Sequence, residues 1–254
     1  MITTPLRCAL LAITLLSPAL LAADDDLAET LRPFYPLATC IVDGEGYGAS
    51  VDEGDGAGGP TEVPPIEVIM GERLFQVCSS DCAKTLRARA DRFAARLDEA
   101  IVQAQLPDYP LSTCPLSDEP LPANAQLVIL DSRLVKLCCK SCLHSLRIDP
   151  EPAFTALDAA AIAAQKADYP LKNCPISGKP LGDTPRDVLH GAQLVRLCCD
   201  SCVRKFEAAP AAAVATVRAA LPEPPSHEEP LKHGPIQSLK RASPSDAPTG
   251  RRGR

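Results

Sequence analysis

The sequence has no tryptophan, and aromatic residues of all kinds make up only 4% of its 254 residues. Large aromatic side chains supply much of the buried area in most domains, so we do not expect one large, well-packed core. The net charge of -6 leaves no extensive basic face, which excludes nucleic-acid binding as the main role. The chain also lacks a Ser-His-Asp set, a phosphate-binding loop and a paired-carboxylate pattern, so we do not expect an enzyme.

Cysteine, in contrast, is abundant, with 12 residues in the chain. In a chain of this length such a number indicates either a disulfide framework or a set of metal sites. Both would act as staples, which small units with small cores usually need.

Residues 1–23 have the order of a cleavable secretion signal. Arg7 gives a positive start, an apolar run follows, and small residues lead up to Ala23 and three aspartates. The alternative is a membrane anchor, but the apolar stretch is short for a span and Pro18 interrupts it. Cleavage near Ala23 would remove Cys8 and leave 11 cysteines. We therefore expect a periplasmic or secreted protein with no stable membrane span.

Two parts of the chain repeat each other in an unbroken register. Asp108–Ser117 matches Asp168–Ser177, and Leu134–Cys142 matches Leu194–Cys202, sixty residues apart in both cases. An unchanged spacing over this distance indicates a duplication.

A further copy lies upstream, with its head at Tyr35–Cys40 and its tail at Leu74–Cys82. Its head and tail cysteines are 38 positions apart, against 24 in the next copy, and the 14 extra residues lie within the acidic, glycine-rich stretch 43–65. We expect that stretch to be a loop. The predicted organisation is a signal segment at 1–23, a linker at 24–34, a first repeat at 35–106, a second at 107–166, a third at 167–222, and a C-terminal region at 223–254.

The C-terminal region begins with the remains of a fourth head. Pro230–Ile236 falls sixty residues after Pro170, but Gly234 occupies the cysteine position and no closing cysteine pair follows. The rest, Ser238–Arg254, is rich in Pro, Ser and Arg with few apolar residues, which predicts a disordered basic tail.

Within a repeat, the pattern changes from strands to helix. Leu127–Leu130 and Leu134–Leu137 are two short apolar runs around a turn, which predicts a β-hairpin. After the closing cysteines of the first repeat the period becomes helical, and we expect one helix over Asp81–Gln105, the longest in the chain at 25 residues. In the second repeat Pro150 and Pro152 should break the corresponding helix, as should Pro210 in the third.

Each repeat would bring cysteines together from two places. One lies on an N-terminal turn, and a C-x3-C pair lies at the start of the helix. Positions i and i+4 share a helix face, so Cys138 and Cys142 can point at one ion, and a helix N-terminus favours thiolate. The expected fold is a small, cysteine-rich α+β protein of three tandem treble-clef-like modules, each a knuckle, a β-hairpin and a helix.

The Tyr-Pro-Leu-x-x-Cys-x-x-Ser head and the Leu-Val-x-Leu-Cys-Cys-x-Ser-Cys tail resemble the TRASH and YHS-type heavy-metal-binding domains of bacteria. The resemblance implies an exported buffer, carrier or resistance factor that binds a soft transition-metal ion. Zn and Cu are favoured over other ions such as Hg. For such a role we expect an envelope metal-handling protein as a partner. The ligands that the resemblance implies are Cys40, Cys78 and Cys82; Cys114, Cys138 and Cys142; and Cys174, Cys198 and Cys202.

The sequence does not identify the fourth ligand of each site. A structural zinc site normally has four ligands. Where a C-x2-C knuckle would place its second cysteine, the chain has Asp43, Ser117 and Ser177. Asp43 is one candidate for the first site, and Cys139 and Cys199 are candidates for the other two. Three thiolates with an open position suit transient binding of a soft metal ion.

Two other interpretations stay open. In one of them the protein is an interaction module that docks on an envelope partner and does not transport metal. Its cysteines would stabilise the fold as disulfides, which an oxidising compartment allows, or by binding structural zinc. Thiol–disulfide redox chemistry is the third, because Cys139–Cys142 and Cys199–Cys202 are C-x-x-C strings, although no thioredoxin-like βαβ pattern surrounds them.

Four other residues near the cysteines have simpler explanations. We expect His144 and His190 to be surface residues rather than ligands. Tyr109 and Tyr169 are expected to pack at the junctions between modules.

Overall fold

The computed structural model describes residues 18–47, 64–221 and 231–241. Most of the predicted signal segment, most of the acidic insertion and the end of the basic tail lie outside these described residues.

Each repeat contains an antiparallel two-stranded hairpin followed by two helices, which confirms the predicted hairpins and the small α+β class. The hairpins share one register, with Ile66 opposite Val77 in the first repeat and Gln126 opposite Leu137 in the second. The elements are α1 (Pro18–Leu31); β1 (Ile66–Ile69), β2 (Leu74–Val77), α2 (Ser80–Ala88) and α3 (Ala90–Gln105); β3 (Gln126–Leu130), β4 (Arg133–Leu137), α4 (Lys140–Ile148) and α5 (Glu151–Ala167); β5 (Arg186–His190), β6 (Gln193–Leu197), α6 (Asp200–Ala208) and α7 (Ala211–Ala220); and β7 (Ile236–Ser238).

The prediction of one long helix over Asp81–Gln105 is wrong. The chain leaves the helical conformation at Arg89 (φ −134°, ψ 42°), so that α2 and α3 are separate helices. Both have an apolar face, and Leu86 of α2 and Phe93 of α3 are buried in the same core. The two residues are seven positions apart, so the apolar period continues across the break. Such a period shows which face is buried and does not show whether the helix is continuous.

The expected breaks in the other repeats are confirmed. Pro150 and Pro210 are the N-cap residues of α5 and α7. Pro152 lies inside the first turn of α5, where its missing N–H costs nothing, so it does not contribute to the break. At 17 residues α5 is the longest helix within the described ranges.

The segment predicted as a linker, 24–34, is helical. It forms the second half of α1 and then a 3-10 turn, Arg32–Phe34. Ala28 and Leu31 pack on Leu74 of β2, and Leu31 has no exposed surface. The Arg32 guanidinium also makes two 2.8 Å bonds to the Glu67 carboxylate of β1. The segment therefore covers the first hairpin.

Consecutive repeats are joined by a glutamine at the end of a helix. Gln105 of α3 donates to the Ser132 carbonyl (2.9 Å) and accepts from the Leu134 N–H (2.8 Å) of the second hairpin. Gln165 of α5, sixty residues later, makes the same pair of bonds to the third hairpin, at Ala192 and Leu194.

Tyr109 and Tyr169 lie at the same junctions, as predicted. Their hydroxyls accept hydrogen bonds from the Lys136 and Arg196 N–H groups of the following strands, at 2.9 and 3.0 Å. With Tyr35 they line a cavity of about 850 Å³ where the repeats meet.

The C-terminal segment returns to the first two repeats. Strand β7 pairs in parallel with β3, and the Gln103 side chain of α3 bonds both the N–H (2.8 Å) and the carbonyl (3.2 Å) of Leu231. Arg241 pairs with Asp131. The expected disorder from Ser238 onward is therefore wrong for Ser238–Arg241, and residues 242–254 lie outside the described part of the chain.

The apolar residues form several small cores rather than one large one. Each repeat has its own cluster around its first cysteine, and a small fourth cluster lies under α1. The first cluster also includes Leu127, Ile129 and Leu134 of the second hairpin, so neighbouring repeats share buried surface. Among the residues that the structure describes, no helix combines the length and the apolar character needed to cross a membrane.

Candidate metal centres

The first cysteine of each repeat lies in a tight turn. The Cys40 N–H donates to the Glu45 carbonyl at 2.8 Å, and the Gly44 N–H donates to the Cys40 carbonyl at 2.9 Å. Gly44 has a φ of 81°, which the turn requires and which glycine adopts without strain. Cys114 and Cys174 form the same turns, closed by Asp118 (φ 57°) and Gly178 (φ 69°).

The other two cysteines of each repeat lie at a strand end and in the first turn of a helix. Cys78 follows β2 and Cys82 lies in α2, with their Sγ atoms 3.6 Å apart. The corresponding Sγ–Sγ distances are 3.8 Å for Cys138 and Cys142 and 3.7 Å for Cys198 and Cys202.

These elements bring together all nine cysteines that the resemblance implies as ligands. In each group the candidate ligand atoms lie within 4.8 Å of one another, and the first cysteine is buried. The 11 described cysteines are free thiols, and their sulfur–sulfur contacts are far longer than a disulfide bond of about 2.05 Å. The three groups are Cys40, Asp43, Cys78 and Cys82; Cys114, Cys138 and Cys142; and Cys174, Cys198 and Cys202.

Asp43 completes the first group. Its Oδ2 atom accepts from the thiols of Cys78 (3.3 Å) and Cys82 (3.0 Å), and its Oδ1 atom accepts from the Glu45 N–H. Hydrogen bonds from Cys82 and Cys40 hold the Asp43 pKa well below its usual range. The same carboxylate is the main cause that raises the pKa of Cys82 to about 12. A bound cation would favour the thiolate form of Cys82 beside this carboxylate.

Serines occupy the matching place in the other two groups. The Ser117 and Ser177 hydroxyls lie 3.3 and 3.4 Å from the Sγ atoms of Cys138 and Cys198. From the sequence these serines were noted only as the residues in place of a second knuckle cysteine, and their role as hydrogen-bonding partners of the thiols was missed. The recurring Cys-x-x-Ser spacing could have indicated this role.

The thiols of these two groups differ in acidity. Burial would raise the pKa of Cys114, but bonds from the Ser117 hydroxyl and the Cys138 backbone outweigh it and lower the pKa to about 7. Cys174 has the same environment, with Ser177, and a pKa lowered to about 6. Burial raises the pKa of Cys142 and Cys202 to about 12. An incoming cation would favour the thiolate form of these last two.

Cys139 and Cys199 lie beside the compact groups rather than in them. They occupy the N-cap positions of α4 and α6, where the first repeat has Ser79, whose hydroxyl accepts from the Cys82 N–H at 3.2 Å. Their Sγ atoms lie 3.5 and 3.7 Å from those of Cys142 and Cys202. A serine hydroxyl two residues on, and then a backbone N–H, lower the pKa of both thiols to about 6.

The two histidines near the cysteines are placed away from the groups. His144 is exposed on α4. The His190 ring packs edge-on against Phe206, with the ring centroids 5.9 Å apart.

The fold and its clusters define a small, cysteine-rich α+β protein with three thiol groups compatible with a soft metal ion. Comparison of the chain with protein-family models, with curated proteins and with solved structures finds no match. The likeness to TRASH and YHS domains therefore rests on the motifs quoted above.

Proposed function

We propose that this protein binds soft transition-metal ions, one in each repeat, as an exported buffer, carrier or resistance factor. The observation that supports it is the threefold recurrence of a compact group in which every ligand atom lies within 4.8 Å of the others. Three isolated thiols that met by chance would not recur in three repeats with the same turn, strand end and helix start. In this proposal each repeat is a treble-clef-like module and none is catalytic.

The proposed ligands differ between repeats in hardness. The first site has three sulfurs and the Asp43 carboxylate, a set that suits Zn(II). The other two have three sulfurs and no carboxylate, which suits Cu(I), Zn(II) or Hg(II) with one position left open. An open position is what a carrier needs to pass its ion to a metal-handling partner in the envelope.

The test is metal analysis of the full chain purified anaerobically, beside a count of free thiols. We expect up to three ions, and Cys138 and Cys142 changed together to Ser should remove about one ion without affecting the third repeat. Ser145→Ala is a matched control, because Ser145 is exposed on the same helix and its hydroxyl bonds only to the Ser141 carbonyl.

Unchanged metal content in the double variant, or no metal in the parent chain, would favour disulfides or a docking role. Export is a separate part of the proposal. The intact mass of protein collected outside the cytoplasm should correspond to loss of residues 1–23, and a mass that retains Cys8 would contradict it.

A further inference from the structure

The third repeat contains two overlapping sets of three sulfurs. Cys174, Cys198 and Cys202 form the compact inner group. Cys199 Sγ lies 3.7 Å from Cys198 Sγ and 3.7 Å from Cys202 Sγ, which are themselves 3.7 Å apart. Cys198 and Cys202 thus belong to both sets.

The two sets differ in their access to solvent. Cys174, which belongs only to the inner set, is 1% exposed. Cys199 is exposed and lies on the outer side of the shared pair. In the second repeat Cys114 is likewise buried, and the half-buried Cys139 has its Sγ atom 3.5 Å from Cys142 Sγ.

The first repeat has no outer set. Ser79 occupies the corresponding position, with its hydroxyl 3.8 Å from Cys78 Sγ and bonded to the helix N-terminus. A neutral hydroxyl is a poor ligand for a soft metal ion.

Resting on the proposed function, we infer that Cys139 and Cys199 form outer exchange sites through which the second and third repeats load and release a thiophilic ion. In the exchange one metal–sulfur bond forms at the Cys199 thiolate and one breaks at Cys174, whose sulfur is left as a thiolate. The ion keeps Cys198 and Cys202 throughout, so the total charge of ion and ligands does not change. The ion then lies on the exposed side, where an acceptor thiol or chelator reaches it. The first repeat holds its ion without this route.

The test uses the full chain loaded with three equivalents of Zn(II) and mixed with an excess of a chromophoric chelator. Two equivalents should leave in a fast phase and one in a phase about tenfold slower, which corresponds to about 1.4 kcal/mol in the barrier. Cys139→Ser with Cys199→Ser should move all three equivalents to the slow phase. These variants place serine at an N-cap, where Ser79 already shows that it fits.

Ser79→Cys is the reciprocal variant and should move the third equivalent into the fast phase. Stoichiometry should stay at three ions in every variant. Release rates that these substitutions do not change would overturn the inference while leaving metal binding intact. Loss of two ions in the double variant would also overturn it, because Cys139 and Cys199 would then be permanent ligands. A parent chain that binds neither Zn(II) nor Cu(I) would overturn the proposed function itself, and the inference with it.

Discussion

Asp43 and Cys82 are in direct contact across the first cysteine cluster, with the carboxylate Oδ2 atom 3.0 Å from the thiol Sγ atom. No equivalent contact occurs in the other two described clusters, because Ser117 and Ser177 stand in place of the aspartate. A carboxylate is a harder ligand than a thiolate, so the contact distinguishes the first cluster chemically from the other two.

This difference predicts the effect of Asp43→Ser. The first site should lose at least about tenfold in Zn(II) affinity, comparable to the loss of a supporting group at a metal site, and should change little toward Cu(I). Competition titrations with each ion would measure it. Ser117→Asp is the converse variant and should raise the Zn(II) affinity of the second site. Equal losses for both ions would mean that Asp43 supports the fold rather than the ion.

The glutamine at the end of α3 should carry part of the coupling between repeats. Gln105→Ala leaves the Leu134 N–H without its partner, and an unpaired buried backbone group costs about 1–3 kcal/mol. We expect a loss of unfolding free energy in that range, measured by urea denaturation. Gln103→Ala removes the same pair of bonds to Leu231 in the C-terminal segment, so it should release that segment with a smaller global loss. A larger loss in Gln103→Ala would contradict this view of the junction.

The sequence was sufficient to predict the hairpins and the groups of cysteines, because both follow from short-range patterns that recur every sixty residues. It was not sufficient for the break at Arg89. No proline or glycine marks that position, and the apolar residues keep their helical spacing across it, with Leu86 and Phe93 buried in one core. Proline did mark the equivalent break at Pro150, which was predicted.

The packing of the two terminal segments on the repeats could not be predicted from the sequence either. β7 has three residues, and its pairing with β3 joins positions more than 100 residues apart. The sequence of a polar, proline-rich tail does not predict such a pairing, because the contacts of the tail depend on the positions of α3 and β3 in the fold. Leu31, in the expected linker, is buried in a cluster with Ala28 and with Leu74 of the first hairpin, which the sequence does not place next to it.

Docking of the C-terminal segment should depend on pH. The Gly234 carbonyl and then Glu99 raise the pKa of His233 above its ordinary 6.5, so the stability that it contributes is full below 6.5 and is lost as pH rises through the raised value. His233 and then Gln103 lower the pKa of Glu99 below 4.5, so its contribution is lost as pH falls through that lowered value. The segment should be held most firmly between pH 4.5 and 6.5.

Hydrogen-exchange protection of the Leu231 and Gln237 amides would measure this dependence. His233→Gln should remove the loss of protection above pH 6.5, whereas His144→Gln, on the exposed face of α4, should leave it in place. The same pH profile in His233→Gln and the parent chain would show that another group is responsible.

The turn of the third hairpin should tolerate no side chain at Gly191. Both Gly191 (φ 61°) and Gly71 (φ 58°) lie in hairpin turns with left-handed backbone, so alanine at either costs about 1–2 kcal/mol in strain. At Gly191 a Cβ atom would also lie 2.2 Å from the Pro33 carbonyl oxygen, whereas at Gly71 its nearest neighbour is the flexible Lys240 Nζ at 3.5 Å. Gly191→Ala should therefore lose more stability than Gly71→Ala in thermal denaturation. It should also lose the nuclear Overhauser contacts between residue 191 and Pro33, because the third hairpin must move away from the 3-10 turn. Equal losses with those contacts retained would show that the two surfaces are not held against each other in solution.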